Sequence, residues 1–180
     1  MHALIVGAKH VGKSTLIKKV VDELGLKVSG FETKKEDGLT DESRGTPVYI
    51  YAAGKPHVRT NDNLAAYCGN GHPEVFAGAF DRAACLPDYG GAGDITLMDE
   101  LGFMESSSEA FCSAVLKRLD CEKPVIAAVK DKSTPFLDAV KNRPDCRCFF
   151  ITAENRDELF PVVLQFVRRQ VEDAKVTLRR

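Results

Sequence analysis

The chain has 180 residues, of which 44% are hydrophobic and 28% are charged, a composition that favours one globular domain and excludes a mainly disordered protein. Its 25 basic and 26 acidic side chains leave a formal net charge of -1, which excludes a strongly basic surface for nucleic acid. We therefore expect a single monomeric domain over residues 1–180 that binds its partner at a local site.

Neither a targeting segment nor a membrane segment is evident in the sequence. Polar side chains interrupt the N-terminal apolar run from Lys9 onwards, and no apolar stretch approaches the ~20 residues that a membrane helix needs. We expect a cytoplasmic protein, in which the six cysteines stay reduced. Cys146 and Cys148 are close together but lack a second pair or a nearby histidine, which favours ordinary thiols over zinc ligands.

The first predicted elements are a strand, a glycine-spaced loop and a helix. Residues 3–6 form a continuous apolar run, as expected for a strand that is covered on both faces. The segment GAKHVGKS follows at once and fits the pattern G-x-x-x-x-G-K-[ST]. Apolar residues then recur on one face of residues 14–24, which predicts a helix that Gly25 can end.

The glycine-spaced loop indicates a phosphate-binding site. Its glycines allow successive backbone N–H groups to point inward at a helix N-terminus, where they can hold the β-phosphate of a nucleotide. Lys13 can then reach the β- and γ-phosphates, and Ser14 can bind Mg²⁺. Lys9 and His10 occupy freely varying positions of the pattern, so simple solvent exposure is an alternative for both. The residues expected to contact nucleotide are Gly7, Ala8, Lys9, His10, Val11, Gly12, Lys13, Ser14 and Thr15.

A different pattern covers residues 32–62, which are polar and rich in turn residues. The run Val-Tyr-Ile-Tyr at 48–51, a turn at 53–55 and a short apolar pair at 57–58 predict an antiparallel hairpin inserted into the sheet. Residues 60–73 are expected to form a loop. Residues 73–86, with regularly spaced apolar side chains, are expected to form a helix.

The second half of a nucleotide site follows the apolar strand predicted at residues 95–98. Asp99 and Glu100 come directly after it, and ligands bind at the carboxyl ends of the strands in an open parallel sheet. We expect Asp99 to hold Mg²⁺ together with Ser14, and Glu100 to orient or deprotonate the attacking water. The alternative is that both carboxylates merely end the strand and cap the segment that follows.

The remaining elements alternate between helix and strand. Helices are predicted through residues 111–119, 136–140 and 159–167, and strands at residues 124–129 and 148–151. Strands that alternate with helices require crossover connections and a parallel sheet. The sequence therefore predicts a three-layer α/β fold with a mostly parallel sheet and an antiparallel hairpin insertion at about 32–62.

Asn155 and Arg156 follow the last predicted strand, at the sheet edge where a nucleotide base would lie. An arginine can stack on any base without reading its hydrogen-bonding edge, which is consistent with broad nucleotide use. The alternative is a helix cap, with Asn155 at the N-terminus and Glu158 three residues further on. The two interpretations are compatible.

Several blocks in the same order resemble a known family. They are GAKHVGKSTLIKKV, VSGFET, DELGFMES, KPVIAAVKDKSTPFLDAVK and FFITAENRDEL, and the resemblance around them extends from residue 3 to about 167. They are similar to the small nucleoside-triphosphatases first described from thermophiles, which include the human cancer-related nucleoside-triphosphatase. The resemblance implies a RecA-like P-loop NTPase domain and slow, Mg²⁺-dependent hydrolysis of nucleoside triphosphates such as ATP and GTP to diphosphate and phosphate, with broad base specificity.

One position departs from the family pattern Asp-Glu-Ile-Gly-Lys-Met-Glu. Asp99, Glu100 and Glu105 match it, whereas Phe103 stands in place of the lysine. If that lysine stabilises charge in the transition state in the family, this chain has lost it, and we expect lower turnover unless another cation takes its place. Arg44, which follows a turn-rich loop, is the first choice for a substitute catalytic cation, and the other candidates are Arg59, Lys130, Lys132 and Arg156. For each of them an ordinary surface charge is the alternative.

Two other functions stay open from the sequence. A small-metabolite kinase commonly gathers several arginines in a lid, but the eleven arginines here are scattered along the chain. A nucleotide-binding adaptor or switch protein is favoured by the phenylalanine at position 103. Glu100 argues against an adaptor, because a protein that only binds nucleotide has no use for a water-activating carboxylate.

Overall fold

The computed structural model describes residues 1–69, 71–88 and 93–177. Its eight strands form one sheet in the order β5-β4-β3-β2-β6-β7-β1-β8. Five neighbouring strands, β2, β6, β7, β1 and β8, run parallel to one another. On the other side of β2 the pairing is antiparallel, between β2 and β3, β3 and β4, and β4 and β5. The strand bounds are β1 His2–Gly7, β2 Val28–Lys35, β3 Thr46–Ala52, β4 Leu64–Cys68, β5 Glu74–Val75, β6 Ile95–Leu101, β7 Val125–Lys130 and β8 Cys146–Phe150.

Helices cover both faces of the sheet and bury two separate cores. Apolar side chains of α1 and α5 pack into the core on one face of the sheet, and those of α2, α3 and α4 pack into the core on the other face. Among the described residues, no helix is long and apolar enough to cross a membrane. The helix bounds are α1 Lys13–Glu23, α2 Ala77–Ala83, α3 Glu109–Leu119, α4 Pro135–Lys141 and α5 Arg156–Thr177.

Strand β1 shows why its sequence is apolar without alternation. Leu4 and Val6 lie in the core beneath α2, α3 and α4, whereas Ala3 and Ile5 lie in the core beneath α1 and α5. Both faces of the strand are therefore buried, as expected for a central strand of a parallel sheet. The prediction of a three-layer α/β fold with a mostly parallel sheet and an antiparallel part is confirmed.

The antiparallel part differs from the predicted hairpin in its pairing. Strand β3 pairs with β2 on one side, and its return strand is β4 at Leu64–Cys68. The predictions of a strand at residues 57–58 and of a loop at residues 60–73 are therefore wrong. His57 instead stacks its ring on Tyr51, with centroids 4.2 Å apart, and carries no strand pairing.

Strand β4 is hard to recognise from its sequence because its buried residues are small. Ala65 and Ala66 are both fully buried, and β4 packs against α2. Alanine has low strand propensity, so close packing beneath the helix decides the structure here. The helix predicted at residues 73–86 is also shorter than expected, because residues 74–75 add β5 to the sheet and α2 starts at Ala77.

Replacing Gly30 in β2 by alanine is expected to lower the free energy of unfolding by about 2–4 kcal/mol. Gly30 has a φ of +107°, and a Cβ there would overlap the carbonyl oxygen of Leu97 in β6. Urea unfolding followed by circular dichroism measures the change. Gly38→Ala is the matched control, because a Cβ at Gly38 meets no atom within 4 Å. Equal midpoints for the two variants would contradict the argument.

Candidate active site

The carboxyl ends of β1 and β6 lie at one edge of the sheet, with β7 between the two strands. A cavity of about 380 Å³ opens there. The predicted residues Asp99 and Glu100 line it. The loop after β1 contributes Lys9, His10, Gly12, Lys13, Ser14 and Thr15 to the same cavity. The fold therefore brings together the two halves of the site that the sequence places 85 residues apart, counted from Ser14 to Asp99.

The loop before α1 has the backbone of an anion-binding turn. Gly12 immediately precedes α1 and has a φ of +103°, and His10 also has a positive φ of 66°. No side chain caps the helix at Gly12 in the described structure. The N–H groups of the first helical turn are therefore left for a ligand, and the helix dipole favours a negative one.

Lys13 is buried and lies against its own loop. Its Nζ donates hydrogen bonds to the carbonyl oxygens of Gly7, at 3.0 Å, and Ala8, at 2.7 Å. It also forms an ion pair with Glu100 Oε2, at 3.0 Å. The ammonium group thus sits at the centre of the loop, within reach of any phosphate that the loop would hold. Val11, the remaining loop residue of the prediction, packs against the core beneath α1 and α5.

Ser14 and Asp99 are in direct contact, since the Ser14 hydroxyl donates a 2.9 Å hydrogen bond to Asp99 Oδ1. Asp99 is 9% exposed, and burial is the main reason that its pKa is raised to about 6. A buried carboxylate needs a nearby positive charge to be stable in its ionised form. One hydroxyl and one carboxylate oxygen are the hard ligands that Mg²⁺ prefers, so these two residues fit a magnesium ion.

Glu100 lies between two lysines. Its Oε2 is 3.0 Å from Lys13 Nζ, and its Oε1 is 3.1 Å from Lys130 Nζ. Neighbouring residues of a regular strand face opposite sides, yet Asp99 and Glu100 line one cavity. The register of β6 against β7 shifts between Asp99 and Leu101, and such an irregularity can redirect a side chain.

The cavity also contains residues that the sequence analysis did not select. Thr33 and Lys35 come from β2, and Cys68 comes from β4. The Thr33 hydroxyl is buried and has no hydrogen-bond partner in the part of the chain that the structure describes. Thr33 and Lys35 could have been predicted as site residues, because they lie near the carboxyl end of a strand that pairs with β6. Cys68 could not, because β4 was not recognised as a strand in the sequence.

Glu105, which matches the family pattern, is 1% exposed and also lines the cavity. Its Oε2 accepts a hydrogen bond from the Gly102 N–H at 2.9 Å. Burial raises the pKa of Glu105 to about 7, although the charge of Lys130 acts in the opposite direction. Through its hydrogen bond with Gly102, Glu105 holds the loop after β6 in place.

The structure places Arg44 at a different cavity, of about 580 Å³. Arg44 forms a two-pronged ion pair with Glu74, at 2.9 and 3.0 Å, and its guanidinium lies 4.0 Å from the centre of the Tyr67 ring. These contacts tie Arg44 to β4 and β5. Within the described ranges, Lys130 is the candidate cation that lines the cavity shared by Lys13 and Glu100. The other candidates were Arg44, Arg59, Lys132 and Arg156.

Arg156 lies on the other side of the loop, in a cavity of about 360 Å³ lined also by Gly12, Thr15 and Phe160. Its Cδ is 3.9 Å from the point where a Cβ of Gly12 would be. The Asn155 side chain points back into the preceding turn, accepting from the Thr152 N–H at 2.9 Å and donating to the Phe150 carbonyl at 3.0 Å. Arg156 is thus available beside the loop, whereas Asn155 shapes the turn that presents it.

Comparison with known proteins identifies the family. A family model described as NTPase matches residues 2–164. The chain belongs to this NTPase family. The match extends from β1 into α5 and so includes the phosphate loop, the carboxylates Asp99 and Glu100 of β6, and Arg156. The resemblance noted from the sequence blocks is confirmed.

Individual members of the NTPase family align with nearly the whole chain. The nucleoside-triphosphatase THEP1 of Pyrococcus abyssi is 33% identical over 180 residues, covering 94% of this chain and 93% of the relative. The cancer-related nucleoside-triphosphatase homolog of Mus musculus is 27% identical over 184 residues, covering 93% of this chain and 96% of the relative. The crystal structure of THEP1 from Aquifex aeolicus superposes with a TM-score of 0.69 at 26% identity, covering 92% of this chain and 98% of that one.

Proposed function

We propose that this protein is a Mg²⁺-dependent nucleoside-triphosphatase that hydrolyses ATP, GTP and related nucleotides to diphosphate and phosphate. Its family relatives are nucleoside-triphosphatases. The observation that carries the proposal is the contact between the two halves of the site: Ser14 with Asp99 at 2.9 Å, and Lys13 with Glu100 at 3.0 Å. A binding loop alone needs only the first half, whereas hydrolysis needs the carboxylates as well.

In this proposal, the loop and the first turn of α1 bind the phosphates through backbone N–H groups. Lys13 exchanges its contacts with the Gly7 and Ala8 carbonyls for contacts with the β- and γ-phosphates. Glu100, released from Lys13, orients a water molecule and accepts its proton. Mg²⁺ held by Ser14 and Asp99 would neutralise charge on the phosphate oxygens.

Two further features of the proposal concern specificity and rate. Arg156 lies in a cavity beside Gly12, where its guanidinium can stack on a base of any kind, which supports broad specificity. Turnover is expected to be slow, because Glu100 begins in ion pairs with Lys13 and Lys130 and has to leave at least one of them before it can act as a base.

The direct test is the release of inorganic phosphate from ATP, GTP, CTP and UTP, with Mg²⁺ and with EDTA. We expect release from all four nucleotides, with similar kcat/KM values and none in EDTA. Phosphate that appears only when a small hydroxyl-bearing metabolite is added would indicate a kinase instead. Tight nucleotide binding without any phosphate release would indicate an adaptor.

Replacing Arg156 by alanine is expected to raise the Kd for all four Mg²⁺-nucleotides by about 3–30-fold and to leave kcat nearly unchanged. The increase in Kd corresponds to the loss of one cation–π contact with the base. Fluorescence titration with labelled nucleotides and competition with unlabelled ones measures the change. Arg168→Ala is the matched control, since Arg168 is an exposed arginine on the same helix. A selective loss of one nucleotide would contradict the stacking argument, because it would mean that Arg156 reads a base edge.

A further inference from the structure

Lys130 is the last residue of β7 and lies opposite Gly7 in the pairing of β7 with β1. Its side chain is 18% exposed and lines the same cavity as Lys13 and Ser14. Its Nζ is 3.1 Å from Glu100 Oε1, while Lys13 Nζ is 3.0 Å from the other oxygen of the same carboxylate. Two ammonium groups therefore flank Glu100, one from the phosphate loop and one from β7.

The loop after β6 holds Lys130 in this position. A Cβ at Gly102 would lie 3.0 Å from Lys130 Cδ and 3.1 Å from its Nζ, so the lysine packs directly across the glycine. The Phe103 ring is 5.0 Å from Lys130 Nζ, in a cation–π contact. The buried Glu105 carboxyl fixes the same loop through the Gly102 N–H. The ammonium group is thus oriented by neighbours on several sides before any nucleotide binds.

From this geometry we infer that Lys130 is a second catalytic cation, which contacts the γ-phosphate and stabilises the negative charge that develops on its oxygens. This inference rests on the proposed nucleotide hydrolysis. In that reaction the water oxygen forms a bond to the γ-phosphorus, the bond from that phosphorus to the β–γ bridging oxygen breaks, and the water proton passes to Glu100. The nucleoside diphosphate leaves with the bridging oxygen, and inorganic phosphate is the second product. Lys130 exchanges no atom in the reaction.

Lys130 satisfies conditions that the other candidate cations do not. Arg44 forms an ion pair with Glu74 on β5, and Arg59 Nη1 lies 3.9 Å from Glu36 Oε2, so each is paired with a carboxylate other than Glu100. Arg156 lies in the separate cavity beside Gly12. Lys132 lines the neighbouring cavity of about 510 Å³, which Lys130 shares. A cation that acts on the γ-phosphate has to share a cavity with both the phosphate loop and Glu100, and Lys130 does so.

The test compares Lys130→Met with Lys117→Met, an exposed lysine on α3 that serves as the matched control. Removing one preorganised donor to a developing oxyanion lowers kcat by about 10²–10³-fold. We expect a decrease of this size for Lys130→Met, with KM within about threefold of the wild type, and no change for Lys117→Met. Lys130→Arg, which keeps a cation, is expected to restore part of the loss.

Binding measurements in the Glu100→Gln background distinguish a direct contact of Lys130 with the γ-phosphate from a role in which Lys130 only holds Glu100 in place. We expect Lys130→Met to weaken binding of Mg²⁺·ADP·fluoroaluminate, a mimic of the transferring phosphoryl group, by at least about 10-fold there, and to leave Mg²⁺·ADP binding unchanged. Equal binding of the fluoroaluminate complex with and without Lys130 would overturn the inference. An unchanged thermal midpoint for Lys130→Met would verify that the fold is intact.

A relocated lysine provides an independent variant. Phe103→Lys in the Lys130→Met background would place an ammonium group from the adjoining loop near the vacated position, and we expect it to recover at least about 10-fold of the lost kcat. Wild-type activity in the same assay separates the two proposals. An active wild type with an equally active Lys130→Met variant overturns the role of Lys130 alone, whereas an inactive wild type overturns both proposals.

Discussion

Replacing Glu100 by glutamine is expected to lower phosphate release by about 10²–10⁴-fold while nucleotide still binds, because the variant keeps the shape of the side chain but loses the group that accepts the proton of water. The glutamine also loses the ion pairs with Lys13 and Lys130. Both lysines are then free to contact phosphate, so we expect the Kd for Mg²⁺·ATP to stay the same or to fall. Single-turnover phosphate release and equilibrium binding measure the two effects separately.

Glu122→Gln is the control for this experiment, since Glu122 is an exposed carboxylate after α3 that lines a different cavity, to which the phosphate loop contributes no residue. It is expected to retain full activity. A Glu100→Gln variant with wild-type turnover would show that Glu100 is not the base. Loss of binding together with turnover would show instead that Glu100 mainly supports the position of Lys13.

Replacing Lys13 by alanine is expected to weaken binding of Mg²⁺·ATP by at least about 10²-fold and to abolish phosphate release, because a buried, charged hydrogen-bond donor to the β- and γ-phosphates is removed. The substitution also removes the hydrogen bonds from Lys13 Nζ to the carbonyl oxygens of Gly7 and Ala8, although the Gly7 carbonyl still accepts from the Asp131 N–H. The loss should be larger for triphosphate than for monophosphate, which lacks the phosphates that Lys13 contacts. Isothermal titration with ATP, ADP and AMP tests this order.

Lys18→Ala on the same helix provides the control, since Lys18 is exposed on α1. Lys13→Arg tests whether charge alone suffices. We expect this variant to be weakly active at best, because the Lys13 side chain is only 3% exposed and the larger guanidinium does not fit the space that it occupies. Equal ATP affinity for the wild type and Lys13→Ala would mean that the loop is not a phosphate site. The proposed function would then fail.

The choice among the candidate cations illustrates a limit of sequence reasoning. Arg44, predicted as the catalytic cation, and Lys130, an alternative, are both basic residues near turn-rich or strand-end segments. Lys130 directly follows a predicted strand of the parallel sheet, whose carboxyl end is where ligands bind, whereas Arg44 follows a turn-rich loop, but neither context predicts the distance to Glu100. Arg44 is paired with Glu74, 30 positions further along the chain, and Lys130 is paired with Glu100, 30 positions before it. Only the strand order decides which cation reaches the site.

The strand at Leu64–Cys68 illustrates a second limit. Its central residues, Ala65 and Ala66, lack the apolar bulk and the alternation by which strands are recognised. They belong to a strand that pairs with β3 and packs against α2, contacts that the local sequence does not reveal. Cys68 lines the cavity of the candidate active site as a result.

The sequence by itself determined the features that depend on local patterns: the phosphate loop at residues 7–15, the apolar strands of the central sheet, and the carboxylates Asp99 and Glu100 at a strand end. These are local because dihedral preference, periodicity and helix termini involve residues a few positions apart. Tertiary structure alone decided the pairing of β3 with β4, the ion pair of Arg44 with Glu74 and the place of Lys130 beside Glu100. These depend on contacts between distant segments, whose free energy is set by packing and burial once the sheet has formed.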